Sequence, residues 1–93
     1  MVIVKVKLFA NLREAAGSDV LHLDFHKSPT ISEALEAAIE KAPTLRRFLS
    51  CEGKFNEQYK VLVGYEVVFP EAFSRTLLDE EAAIAILPPV SGG

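Results

Sequence analysis

The residues whose types and spacing bear most directly on chemistry stand at the end of the sequence, in the run Leu87-Pro88-Pro89-Val90-Ser91-Gly92-Gly93. The two glycines carry no side chains to obstruct a narrow tunnel, and their backbone freedom lets them adopt whatever φ and ψ a foreign site requires. Pro88 and Pro89 act in the opposite sense, stiffening the root so that the segment projects instead of folding back. The six residues after Leu87 can reach about 20 Å at roughly 3.3–3.6 Å each, enough to enter a buried site in another protein. The group this delivers is the carboxylate of Gly93. A carboxylate is a resonance-stabilised anion without a good leaving group, so a partner must activate it before it can react.

The other reactive side chains form no comparable arrangement. Cys51 is the only cysteine, which rules out an intramolecular disulfide and a cysteine-rich metal site. With no activating neighbour in the sequence, it reads as a small apolar filler. His22 and His26 alternate with Leu21, Leu23 and Phe25, which places both on the polar face of a strand with no third metal ligand in evidence. Glu33, Glu36 and Glu40 have the spacing of one solvated helix side, not of a catalytic acid pair. No nucleophile–base set and no phosphate-binding glycine loop is present, so the chain has no independent catalytic site and binds no cofactor of its own.

The elements that must position the tail follow from periodicity. Val2, Val4, Val6 and Leu8 alternate with Ile3, Lys5 and Lys7, predicting a first strand over 2–9 with one buried face. Gly17-Ser18-Asp19 marks a turn, and the alternation from Leu21 to His26 predicts a second strand paired with the first as a hairpin. The residues between, Arg13 among them, read as a loop. Thr30-Ile31-Ser32-Glu33 is a capping-box pattern that starts a helix near Ile31; Ile31, Leu35 and Ile39 with Ala34, Ala38 and Ala42 make its apolar stripe, and Pro43 stops it. Thr44 to Ser50 reads as a short helical turn and 52–56 as an exposed loop. Val61-Leu62-Val63 and Glu66-Val67-Val68-Phe69 predict a hairpin about Gly64, and 82–87 a last strand closed by Pro88-Pro89.

One amphipathic helix on one face of a mixed sheet of four to five strands is an α+β solution. A hairpin followed by a crossover helix brings a late strand parallel to the first. That arrangement is the β-grasp, predicted here as a single domain over 1–93 with 87–93 as its flexible tail. A length of 93 residues suits one core and leaves too little chain for a second.

Composition narrows the partners. No apolar run approaches the roughly 20 residues that span a bilayer and no signal-peptide pattern opens the sequence, so a cytoplasmic, membrane-free protein is expected. A formal net charge of −3 argues against binding a nucleic-acid backbone and suits a partner with a basic docking surface.

Two segments resemble the small-subunit family of molybdopterin synthase, within the wider group of ubiquitin-like sulfur carriers. They are Phe9-Ala10-Asn11-Leu12-Arg13-Glu14-Ala15-Ala16-Gly17 after the first strand, and Leu87-Pro88-Pro89-Val90-Ser91-Gly92-Gly93. The sequence departs from that family's pattern in having Val63-Gly64 for Asn-Gly, and Asp79-Glu80-Glu81 for Asp-Gly-Asp. The second change removes a glycine that permits positive φ. The resemblance implies that a ubiquitin-activating-type enzyme uses ATP to adenylate Gly93 and that a sulfur donor protein converts it to a thiocarboxylate. The carrier then docks on the large subunit of molybdopterin synthase and donates sulfur to the molybdopterin dithiolene. Modification of protein lysines through Gly93, sulfur transfer for thiazole or tRNA thiolation, and an interaction module with an inert terminus are the alternatives.

Strand parity extends the site beyond Gly92 and Gly93. If Val4, Val6, Ile84 and Ile86 face the helix, Phe9 and Leu87 face outward, and parallel pairing of their strands brings the two together at the root formed by Pro88, Pro89 and Val90. This pair either anchors a partner or, if Phe9 curls under the following loop, caps the core. Arg13, at the same end, pairs either with an acidic group of a partner or with Glu14 or the second hairpin of its own surface.

Overall fold

The computed structural model describes residues 1–89; Val90, Gly92 and Gly93 lie outside the described residues. Strand β1 is Val2–Leu8, and its burial alternates with its chemistry: Val4, Val6 and Leu8 are buried, while Ile3, Lys5 and Lys7 are exposed. A short helix α1, Ala10–Ala16, follows directly. It corrects the expectation of a loop here and places Arg13 on a helix. Leu12 is its one buried residue, fully enclosed, and serves as the pin that holds α1 against the core. Gly17 ends the helix, its N–H donating to the Arg13 carbonyl at 2.9 Å.

Strand β2, Val20–Phe25, pairs antiparallel with β1 in a register that sets Leu21 beside Val6 and Leu23 beside Val4. Helix α2, Ile31–Lys41, begins at the capping box. Glu33 N donates to Thr30 Oγ1 at 3.1 Å, and Thr30 N donates to Glu33 Oε1 at 2.8 Å. Two donors that the first helical turn would leave unpaired are thereby satisfied. Ile31, Ala34, Leu35, Ala38 and Ile39 form the buried stripe.

Beyond Pro43, a 3-10 turn and helix α3, Arg46–Leu49, lead into a small separate hairpin of β3, Ser50–Cys51, and β4, Lys54–Phe55. Its two turn residues, Glu52 and Gly53, both have positive φ (54° and 78°), the type I′ geometry that matches strand twist. An exposed loop was expected over 52–56, and the residues are exposed or half-buried, but the pairing is an addition.

Strands β5, Lys60–Val63, and β6, Glu66–Val68, form the expected hairpin around Gly64 and Tyr65. The connection from Phe69 to Ala82 is pinned to the start of α2 by Ser32 N to Phe73 O (3.1 Å), Ile31 N to Thr76 O (3.0 Å) and Leu78 N to Pro29 O (2.8 Å). Phe73 packs edge-on against Phe55, with ring centroids 5.2 Å apart. Strand β7, Ala83–Leu87, closes the fold.

The five strands β2-β1-β7-β5-β6 form one mixed sheet with a parallel β1–β7 pair at its centre, the β-grasp order. Ile84 and Ile86 of β7, in the middle of the sheet, belong to the same core as the buried stripe of α2, both without exposed surface. Burying a side chain of this size stabilises the fold by about 1.5–3 kcal/mol.

Candidate functional site at the root of the tail

The site is built on the parallel β1–β7 pair. Its register runs Lys5 to Ala83, Val6 to Ile84, Lys7 to Ala85 and Leu8 to Ile86. Phe9 keeps an extended backbone (φ −129°, ψ 156°), so one further step of the register sets it beside Leu87. Phe9 is 42% exposed, so its ring is not enclosed in the core. Leu87 and Pro88 are half-buried and Pro89 is exposed, so the described part of the tail leaves from the same surface.

The antiparallel β5–β7 pair adds the other flank. Lys60 lies opposite Leu87 and Leu62 opposite Ala85. Leu62 in turn faces Val67 of β6, which is 43% exposed. Phe69 retains extended geometry after β6 (φ −88°, ψ 153°) and is 60% exposed. Four adjacent strands thus carry Phe9, Leu87, Lys60 and Phe69 across the tail end of the sheet, with Lys7, Ala85, Leu62 and Val67 in the row behind. This is a mainly apolar surface on the face opposite α2, with Lys60 set among the apolar residues and Lys7 at its β1 end.

Arg13 is exposed on α1 and shares a shallow depression of about 230 Å³ with Phe9, Lys7 and Asp19. α1 itself is held at the tail end by Asn11, whose Nδ2 donates to the buried Tyr59 Oη at 2.8 Å, one residue ahead of Lys60. The structure therefore brings together Phe9, Leu87, Pro88 and Pro89, with Arg13 beside Phe9. Sequence reasoning overlooked Lys7, Lys60, Leu62, Val67 and Phe69, although the same period-two parity that selected Phe9 places them on the same face. Gly92, Gly93 and Val90 fall outside the described residues.

The remaining candidates lie elsewhere. His22 and His26 are both exposed, and among the described residues no group of three or more His, Cys, Asp or Glu could hold a metal ion. Cys51 is exposed in β3 opposite Lys54, which corrects its reading as an apolar filler. No helix among the described residues is long and apolar enough to cross a membrane.

A five-stranded β-grasp sheet with an outward apolar row leading to a proline-stiffened tail defines a ubiquitin-like carrier. The family model described as ThiS family matches residues 6–93, and the chain belongs to this family of ubiquitin-like sulfur carriers. It is 36% identical to small archaeal modifier protein 1 of Haloferax volcanii over 89 residues, covering 94% of this chain and 97% of that protein. It is 30% identical to the molybdopterin synthase sulfur carrier subunit of Arabidopsis thaliana, covering 97% and 82%. The solution structure of small archaeal modifier protein 1 from Methanosarcina acetivorans superposes with a TM-score of 0.83 at 35% identity, covering 100% of this chain and 98% of that one.

Proposed function

We propose that the chain is the sulfur-donating small subunit of molybdopterin synthase. In this reading the Gly93 carboxylate attacks the α-phosphate of ATP on a ubiquitin-activating-type enzyme, releasing pyrophosphate and leaving an acyl adenylate. The terminal sulfur of a persulfide on a donor protein attacks the Gly93 carbonyl and displaces AMP, and thiol reductant then cleaves the S–S bond of the resulting acyl disulfide, leaving the thiocarboxylate on the carrier and the reductant as a disulfide. The loaded carrier docks on the large subunit, and the sulfur passes to the dithiolene of molybdopterin. The chain binds no cofactor; ATP belongs to the activating partner.

The observation that carries the reading is the parallel β1–β7 register, which puts Phe9 beside Leu87 at the root of Pro88-Pro89. A partner that grips this row holds the tail at a fixed origin, so the stiff prolines aim Gly92 and Gly93 into its active site. Arg13, at the edge of the row, is placed to meet an acidic group of the same partner. The Pro-Pro-Val-Ser segment favours the molybdopterin pathway over thiazole or tRNA thiolation. Removal of Gly93 is the test: dithiolene formation with the large subunit is abolished, whereas full activity of the shortened chain contradicts any mechanism through the C-terminus.

Its likeness to small archaeal modifier protein 1 favours a second reading, transfer of the activated Gly93 to lysines of other proteins. The activation chemistry is common to both, and only the acceptor differs. Lysine conjugates of the chain in extract from its own organism support the modifier. A thiocarboxylate that yields dithiolene, without conjugates, supports the carrier.

A further inference from the structure

The outermost strands of the sheet are β2 and β6, and their free edges differ. The β2 edge is occupied at its middle, where Lys41 Nζ reaches over from α2 and donates to the His22 carbonyl oxygen at 2.8 Å. Its exposed side chains, His22 and Asp24, are polar. A lysine laid across an edge strand blocks pairing with another chain. Among the described residues, no backbone group pairs with the outer edge of β6. The register shows what that edge offers. Val63 and Glu66 flank the two-residue turn Gly64-Tyr65, and Val61 pairs with Val68. In such a ladder the N–H and C=O groups of Glu66 and Val68 turn toward β5, while those of Val67 turn away from it. Phe69 continues the extended backbone, so Tyr65, Val67 and Phe69 stand at alternate positions along the edge, 99%, 43% and 60% exposed.

We infer that β6 pairs antiparallel with β6 of a second copy of the chain, about a two-fold axis between their Val67 residues. The edge is self-complementary in this register. Val67 meets Val67 as a hydrogen-bonded pair, N–H to C=O in both directions. Tyr65 of each copy meets Phe69 of the other, aromatic against aromatic, and Glu66 meets Val68, so no two carboxylates face each other. Sliding the strands toward the turn sets Glu66 against Glu66 and strands Phe69, and sliding them the other way leaves Tyr65 without a partner. The pairing joins two five-stranded sheets into one. β7 lies two strands in from the seam in each copy, so both tail roots stay uncovered and the tails leave in opposite directions. A seam of so few residues buries less than the roughly 1,200 Å² of a stable complex, so the association is weak and reversible. Nothing in it depends on the chemistry of Gly93.

The experiment is a dilution series of the full chain from about 2 mM to about 20 μM, a range that brackets the affinities of small interfaces. Sedimentation velocity reads the mass, and amide NMR spectra locate the contact. Wild type passes from monomer to dimer as concentration rises, with shifts concentrated at 65–69. In a mixed-label sample an isotope-filtered NOE joins the Tyr65 ring to Phe69 of the other copy. Val67→Lys sets two ammonium groups together at the axis and weakens association about ten-fold or more. Ile3→Lys, which removes an exposed apolar side chain of β1 away from the seam, associates as wild type does. If circular dichroism shows Val67→Lys unfolded, Tyr65→Ser in the exposed turn takes its place, with weakened association expected. A wild type that stays monomeric at about 2 mM, growth past the dimer, shifts centred on another element, or a Val67→Lys chain that is folded and associates like wild type overturns the inference.

Discussion

Lys60 lies directly opposite Leu87 in the antiparallel β5–β7 pair, so a cation flanks the last strand residue before the tail. On the other side of Leu87, the parallel β1–β7 register brings up Phe9. The tail therefore departs from between the strand positions of Phe9 and Lys60, in the middle of the sheet and not at a free edge. Strand order produces this arrangement: β7 is inserted between β1 and β5, and its C-terminal end inherits neighbours from both.

The partner contact of Phe9 gives the first prediction. At 42% exposure the ring contributes little to the core, so Phe9→Ala unfolds in urea within about 1 kcal/mol of wild type. Its affinity for the large subunit of molybdopterin synthase, measured by titration calorimetry, falls about ten-fold or more, as for an interface anchor. A folded variant that binds as well as wild type removes Phe9 from the interface.

The attachment of α1 gives the second. Leu12 is fully buried and is the only buried residue of that helix. Leu12→Ala lowers stability by about 2–5 kcal/mol in equilibrium unfolding, the cost of a core cavity. Because α1 follows Phe9 directly, affinity for the large subunit falls as well, even in the fraction that remains folded.

The helix start gives the third. Thr30→Ala removes the acceptor for Glu33 N and costs about 1 kcal/mol, seen as a lower urea midpoint with unchanged slope. Thr30→Ser keeps the oxygen and restores most of the loss.

The fourth concerns the turn before β7. The glycine of the family pattern aligns with Glu80, but the left-handed residue is its neighbour Glu81, which adopts φ 63° although a non-glycine residue disfavours it. The turn is held by Glu81 N donating to Ile3 O at 3.0 Å and by Lys5 N donating to Ala82 O at 2.9 Å, which start β7 in register against β1. A left-handed non-glycine residue costs about 1–2 kcal/mol, and glycine's freer unfolded state offsets about 0.5–1 of that. Glu81→Gly therefore stabilises the protein by about 0.5–1 kcal/mol in urea unfolding, and Glu81→Val destabilises it.

These cases also show what was legible in the sequence. The alternation in β1, β2 and β7 fixed which faces are buried, and the Thr30–Glu33 box located the start of α2, because both patterns repeat over enough residues to stand above chance. α1 was not legible as a helix. It has seven residues, one buried side chain and no side-chain cap at Phe9, so no apolar period develops. Gly17, read only as a turn, was the available signal of a helix end. The β3–β4 hairpin escaped for a related reason: its strands have two residues each and its turn is Glu52-Gly53, without the usual Asn or Asp ahead of the glycine. The docking row was half legible. Parity selected Phe9 and Leu87 from two strands, but Lys60, Leu62 and Phe69 join them only once the strand order places β5 and β6 beside β7.

If Gly93 carries activated sulfur, the loaded chain is heavier than the free one, and intact-mass spectrometry reads the difference. The protein is incubated under reducing conditions with the adenylating enzyme of its own organism, ATP and a persulfide sulfur donor, beside a control lacking ATP. The expected result is an ATP-dependent mass increase equal to the exchange of one oxygen for one sulfur, present in wild type and absent from the chain lacking Gly93. An unchanged wild-type mass with a demonstrably active enzyme, or the same increase in the shortened chain, would contradict the carrier mechanism.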